Sequence, residues 1–199
     1  MNNAISLNSP PLTPELLYSA YCQGFFPMPE QASNTIAWFR PDPRAIIPLH
    51  AMHVSRSLRR ILRRQYFTVT YDRAFREVMR GCGERSETWI TQEFIDLYQD
   101  MFNLGFAHSV EVWEDGALVG GTYGVSIGGA FFAESMFYRA SNASKVALYY
   151  LVERLKTQGF MLLECQFLSQ HIKSLGAVAV ADNIYMRLLT IASHLAVNF

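Results

Sequence analysis

The chain has 199 residues, half of them hydrophobic and 14% aromatic, and its 17 basic and 17 acidic side chains cancel to zero net charge. That composition suits a folded protein with a sizeable core and excludes a disordered chain. No apolar run approaches the ~20 residues needed to span a bilayer. The balance hides an asymmetry. Residues 1–80 hold ten arginines, no lysine and five acids, whereas residues 81–199 hold seven basic and twelve acidic residues. A basic first half suits a polyanion, and an acidic second half suits a cation. The cysteines, Cys22, Cys82 and Cys165, are widely spaced and form no CxxC pair. That argues against a disulfide framework or a zinc site and fits a reducing compartment. The start, MNNAISLNSPPLTP, lacks the basic and apolar regions of a signal peptide, so a cytoplasmic location is expected.

Residues 1–11 read as a loose leader. Thr13-Pro14-Glu15 then opens a helix, with Thr as N-cap and Pro at the first helical position, and Gly24 stops it. Trp38 to Pro48 alternates short apolar pieces with proline, as an edge strand or extended arm does. These features define a small N-terminal domain, residues 1–45, leaning on a larger domain, residues 46–199. His53 to Gln65 is predicted to be an amphipathic helix. Arg56, Arg59, Arg60, Arg63 and Arg64 fall in one stripe, opposite Val54, Leu58, Ile61 and Leu62. Tyr66 to Tyr71 reads as a strand, and Phe75 to Met79 and Thr91 to Leu104 as helices. Ala107 to Trp113 and Ala117 to Ser126 alternate around the turn Glu114-Asp115-Gly116, and Ala130 to Met136 adds a third strand. A helix from Ser144 to Gln158, a buried strand from Phe160 to Phe167, a short helix from Leu168 to Leu175, a strand piece from Ala177 to Ala181 and a helix from about Asn183 to Leu195 complete the chain. The order is α+β, with an antiparallel meander followed by an α–β crossover.

Four local features carry chemistry. Glu164 and Gln166 lie in the apolar run MLLECQF, where alternation places them on one face. A carboxylate there is either paired or functional, because burying it alone is costly. Glu134 ends the apolar run AFFA, and read in isolation it is a strand-end acid reaching solvent. Asn142-Ala143-Ser144-Lys145 reads as a capped helix start whose amides either hold an anion or are simply capped, the cap being the simpler role. His108 and Ser109 point to opposite faces of a strand and cannot form a catalytic pair, so His108 reads as a core histidine.

Ten segments extend these features into a pattern: GFFP at 24–27, PDPRAIIPL at 41–49, HVSRSLRR at 53–60, TWIT at 88–91, GFAHSVEVW at 105–113, LVGGTYGV at 118–125, AESMF at 133–137, NASK at 142–145, CQ at 165–166 and SLGA at 174–177. In this order the chain resembles the leucyl/phenylalanyl-tRNA–protein transferase family over nearly its whole length. The resemblance implies transfer of Leu, Phe or Met from aminoacyl-tRNA to the N-terminal Arg or Lys of acceptor proteins, which marks them for degradation. It implies a small N-terminal domain and a larger Gcn5-related acyltransferase-like domain, mainly antiparallel sheet with flanking helices, and no metal or small cofactor.

By the same resemblance Glu164 and Gln166 are the catalytic pair. Gln166 orients the amine or the ester, and Glu164 takes the proton or polarises Gln166. Glu134 is a second acid that holds the aminoacyl-adenosine or the cationic acceptor. Trp89 sits near the terminal adenosine, and Thr122, Phe131, Leu148, Leu151 and Leu155 belong to the amino-acid pocket. The arginine stripe is the candidate surface for tRNA. The chain departs from the family at Glu164, where Asp is usual, at Met28, where Trp is usual, and at Thr122, where Met is common. Two alternatives follow: a diverged member with altered donor specificity, or a non-catalytic protein that binds tRNA or N-termini. An acyl-CoA-dependent acetyltransferase is a further rival, but the chain lacks the Q/RxxGxG/A loop that cradles pyrophosphate.

Overall fold

A proline at the first position and a threonine before it start the first helix, α1 (Pro14–Cys22), where Thr13 Oγ1 accepts the amide of Leu16 at 3.3 Å. The computed structural model describes residues 12–29, 36–84, 88 and 90–199. Strands β1 (Phe26–Pro29) and β2 (Ile36–Phe39) pair antiparallel as a small separate sheet. Then come β3 (Arg44–Ile46), α2 (Arg56–Arg64), β4 (Thr68–Tyr71), α3 (Phe75–Gly83) and α4 (Gln92–Asn103). The meander follows as β5 (Ala107–Glu114), β6 (Ala117–Ile127) and β7 (Ala130–Tyr138). The remainder is α5 (Ala143–Gln158), β8 (Leu162–Glu164), α6 (Gln170–Ser174), β9 (Val178–Val180) and α7 (Asp182–Ser193).

Among the described residues seven strands form one sheet in the order β4-β5-β6-β7-β8-β3-β9. The pairings are antiparallel except β7 with β8, which run parallel through Ala130–Leu162, Phe131–Leu163 and Phe132–Glu164. The hairpin between β5 and β6 turns on Asp115 (φ 49°) and Gly116 (φ 80°), the pair of left-handed residues that a tight two-residue turn requires. One sheet face packs on α1, α3, α4 and α7 through a cluster that includes Tyr21, Val78, Tyr98, Phe132 and Tyr185. The other face packs on α2, α5 and α6 through Leu58, Phe131, Leu151, Leu163 and Ile172. At Gly120 a Cβ would lie 2.6 Å from the Cβ of Ala143, so glycine there lets the start of α5 approach β6.

Some predicted boundaries moved for local reasons. The expected helix from His53 begins at Arg56, because Ser55 Oγ caps the amide of Leu58 at 3.2 Å. The expected strand from Phe160 to Phe167 is reduced to Leu162–Glu164, because Gln166 turns left-handed with φ 62°. The alternation expected for Glu164 and Gln166 therefore breaks between them. Leu17 and Tyr21 of α1 join the larger core cluster, and β3, which spans residue 45, lies inside the main sheet.

Candidate active site

Beyond Phe132 and Glu164 the parallel strands β7 and β8 no longer pair, and the site lies where they separate. Tyr123 pairs with Ser135 while the next residue, Gly124, pairs with Ala133, so Glu134 is the extra residue of a β-bulge. A bulge re-aims a side chain that a regular strand would fix. Glu134 is 7% exposed, buried within β7 and not reaching solvent at a strand end.

The Glu134 carboxylate is held from both sides. Its Oε1 accepts the Tyr21 hydroxyl at 2.6 Å, and Tyr21 in turn contacts the Tyr98 hydroxyl at 2.7 Å. With Tyr21 donating to the acid, Tyr98 donates to Tyr21. Its Oε2 accepts Gln166 Nε2 at 3.0 Å, which leaves the carbonyl oxygen of that amide free to accept. Burial pushes Glu134 up to about 8 against the two hydrogen bonds that lower it, and the nearby Glu164 charge adds to the rise. The same burial holds Tyr21 and Tyr98 well above the ordinary tyrosine range.

Glu164 is fully buried and plays a different part. Its Oε1 accepts the backbone amide of Gln166 and faces Arg44 Nε at 3.5 Å. Burial pushes it up to about 7, with Arg44 and the Gln166 amide pulling it back down. Arg44 is itself fully buried. It donates to the carbonyl of Gly24 and lies between the rings of Phe26 and Tyr185, at 5.0 and 4.5 Å. Arg44 thus ties the N-terminal segment to the strand that carries the acid.

Thr122, Ala133, Glu134, Met136, Leu148 and Gln166 line a cavity of about 240 Å³, together with Phe167 and Ile172. Of the residues predicted for the amino-acid pocket, Thr122 and Leu148 face this cavity. Phe131, Leu151 and Leu155 are fully buried in the core behind it. Phe131 instead packs on the rings of Phe160 and Phe199. Trp89 lies outside the described residues. Among the predicted acids Glu134 lines the cavity and accepts from the Gln166 side chain, whereas Glu164 does not line it and accepts from the Gln166 backbone amide. Cys165 also lines the cavity, and burial raises its thiol far above the reactive range.

The five arginines of α2 are exposed, and none takes part in the ion pairs among the described residues. Arg59 and Arg63 border a groove of about 400 Å³ with Met52, Val54, Leu62 and Tyr149. His108 pairs with Asp72 at 2.8 Å and stacks on Phe199, away from the cavity. Asn142 does begin α5, but with φ 68° and no side-chain cap. Tyr21, Tyr98 and Arg44 were not singled out from the sequence. Tyr21 follows Leu17 by four residues on an apolar helix face, where a hydroxyl needs a partner. Arg44 is the one basic residue in PDPRAIIP and is followed directly by an apolar run. Both signals were present in the sequence.

Solved structures align with the chain as a whole. FemX aligns at TM-score 0.53 and 12% identity, covering 83% of this chain and 66% of that one. A GCN5-related N-acetyltransferase from Kribbella flavida aligns at TM-score 0.46 and 13% identity, over 84% of this chain and 61% of that one. The fold, a mostly antiparallel sheet with flanking helices, is therefore one shared with FemX.

Sequence comparison narrows the class. Residues 46–190 match the family described as Leucyl/phenylalanyl-tRNA protein transferase, and residues 11–42 match its N-terminal domain. The leucyl/phenylalanyl-tRNA–protein transferase of Herpetosiphon aurantiacus is 51% identical over 189 residues, 94% of this chain and 98% of that protein. That of Gloeobacter violaceus is 48% identical over 188 residues, 94% of this chain and 97% of that protein. The chain belongs to the leucyl/phenylalanyl-tRNA–protein transferase family, and is an aminoacyltransferase. These matches do not favour the expectation of a non-catalytic binding protein. No helix among the described residues is long and apolar enough to cross a membrane.

Proposed function

We propose that the protein transfers Leu or Phe from aminoacyl-tRNA to the N-terminal Arg or Lys of an acceptor protein in the cytoplasm. The observation that carries this reading is the contact of Gln166 with Glu134 at the wall of a cavity of mixed polar and apolar lining. The donor is an ester already activated on the terminal ribose, so no covalent enzyme intermediate is required. What remains is to deliver a neutral α-amine to the ester carbon.

The free amine has a pKa of ~8 and arrives largely as ammonium. Glu134, raised to about 8, matches it, so proton transfer between them is close to thermoneutral. The Gln166 carbonyl oxygen, free because its Nε2 is engaged, accepts an N–H of the attacking amine and fixes its direction. The amine nitrogen bonds to the ester carbon, the bond from that carbon to the ribose 3′ oxygen breaks, and the oxygen leaves with the proton as a hydroxyl. Glu164 holds the Gln166 backbone in its left-handed turn and acts by positioning.

The apolar part of the cavity wall, Ala133, Met136, Leu148, Phe167 and Ile172, suits an apolar side chain, whose burial is worth ~1.5–3 kcal/mol. Thr122 is compatible with that role because its hydroxyl already donates to the Ser135 carbonyl at 2.9 Å. The exposed arginines of α2 supply the sequence-independent contacts that a tRNA backbone needs. The test is incubation with labelled Leu-tRNA or Phe-tRNA and a peptide beginning with Arg. The reading expects an extended peptide. An acceptor beginning with Glu that is extended as fast as one beginning with Arg would refute the acceptor assignment.

A further inference from the structure

The loop from β8 to α6, residues 165–169, is pinned at both ends. The Cys165 amide donates to the Ala45 carbonyl at 2.9 Å, and the Gln166 carbonyl accepts the Ala45 amide at 3.1 Å, so β3 holds the start of the loop. The Glu164 carboxylate accepts the Gln166 amide between them. At the far end the Ser169 amide donates to the Phe167 carbonyl at 3.0 Å, and Ser169 Oγ caps α6 by accepting the amide of Ile172 at 3.3 Å. These bonds fix the directions in which the side chains between them point.

Two of those side chains face solvent. Phe167 is 41% exposed and Leu168 38%, and among the exposed large apolar side chains of the described residues they are the only two adjacent in sequence. A single exposed apolar side chain is ordinary. Two side by side on a pinned loop, directly after the residue that meets the amine, form a small apolar contact surface at the edge of the site. Phe167 lines the cavity beside Gln166 and packs edge-on against Phe26, ring centroids 5.8 Å apart. Leu168 does not line the cavity and lies on its solvent side.

We propose that Phe167 and Leu168 are specificity-determining residues for the acceptor, reading its second residue and favouring an apolar one there. The inference rests on the reading of Gln166 as the group that receives the acceptor amine. The donor's side chain fills the cavity, so the acceptor chain leads from the amine toward solvent. Two extended residues span about 7 Å. Phe167 and Leu168 follow Gln166 by one and two residues, within the same reach, and meet the second side chain of the acceptor. An apolar side chain there covers the exposed ring and the leucine, whereas a polar one of the same size gives up its water without a partner.

Steady-state transfer from saturating Phe-tRNA to peptides beginning Arg-Leu, Arg-Ala and Arg-Asn tests this, alongside calorimetric binding of the same peptides to the full chain. Leu and Asn are similar in size, so their ratio isolates polarity. Arg-Leu should exceed Arg-Asn by ~10-fold in kcat/KM, through KM, with Arg-Ala between them. The ratio should fall toward one when Phe167→Ser and Leu168→Ser are combined, and Phe167→Leu should keep it. Indistinguishable transfer and binding of the three peptides by the wild type, or a preference that survives the double substitution, overturns the proposal. A double variant whose loss falls on KM for Phe-tRNA, with the peptide ratio intact, overturns it too, since the loop then reads the donor. The transfer reading fails separately: a protein that binds Arg-Leu more tightly than Arg-Asn, loses that difference in the double variant and extends neither peptide keeps the acceptor contact and loses the reaction.

Discussion

Replacing Arg44 by Met tests how the site is held. The guanidinium and the Glu164 carboxylate are both fully buried, 3.5 Å apart, and Gly24 depends on the same guanidinium for a hydrogen bond. Removing one partner of a buried pair costs ~3–5 kcal/mol, because the other charge is left uncompensated. For a domain of this size that corresponds to a fall in Tm of about 6–20 °C. Glu164 escapes part of the penalty by keeping its proton. Its folded pKa is already raised to about 7 by burial, and Arg44 is what pulls it down, so the variant raises it further. The folded state then holds its proton to higher pH than the unfolded chain does. Stability therefore falls as pH rises, and the deficit of the variant is larger at pH 8 than at pH 6. Thermal unfolding followed by circular dichroism at both values measures this, with Arg44→Lys restoring part of the pH-dependent component. A loss below ~1 kcal/mol, or a loss independent of pH, would refute the reasoning.

The wild type should itself lose stability between about pH 5 and 8, since Glu134 and Glu164 keep protons that the unfolded chain gives up near 4.5. Each such group contributes a slope of up to about 1.4 kcal/mol per pH unit, so Glu134→Gln should flatten the profile in denaturant titrations. Thr122→Met narrows the cavity of about 240 Å³, and should raise KM for the Phe donor ~10-fold or more relative to the Leu donor, read from steady-state transfer. Charge reversal at Arg59, Arg60 and Arg63 should weaken tRNA binding and lower the salt dependence by ~0.7–0.9 per lost phosphate contact. Filter binding across salt concentrations reads this, while the circular dichroism spectrum stays unchanged because these side chains are exposed.

Much of the architecture was legible because it is written in local pattern. Thr13 and Pro14 start α1, Asp115-Gly116 turns the hairpin, and Gly159 ends α5 in the left-handed region. The site was legible only in part. Motif order singled out Glu134, Glu164 and Gln166, but periodicity placed the first at a solvent-facing strand end and the other two on one face of a single strand. The bulge that buries Glu134 depends on the register between β6 and β7, and register is a tertiary property. The Tyr21 and Tyr98 hydroxyls meet across 77 residues, and Tyr21 reaches Glu134 across 113, so no window of sequence contains them together. The pocket helix shows the same limit. Helical spacing marks Leu148, Leu151 and Leu155 alike as apolar, but the position of α5 over the sheet decides that Leu148 alone of the three lines the cavity. Asn142 is an ordinary capping residue by type, yet its left-handed backbone turns the side chain toward Ser141.

The central claim is that Gln166, held by Glu134, directs the amine onto the ester. Single-turnover transfer from preformed Phe-tRNA to a peptide beginning with Arg, measured at saturating peptide for wild type and Gln166→Ala, tests it most directly. The account predicts that the variant still binds Phe-tRNA but loses ~10²-fold or more in the rate of transfer. Transfer by Gln166→Ala at the wild-type rate would contradict it.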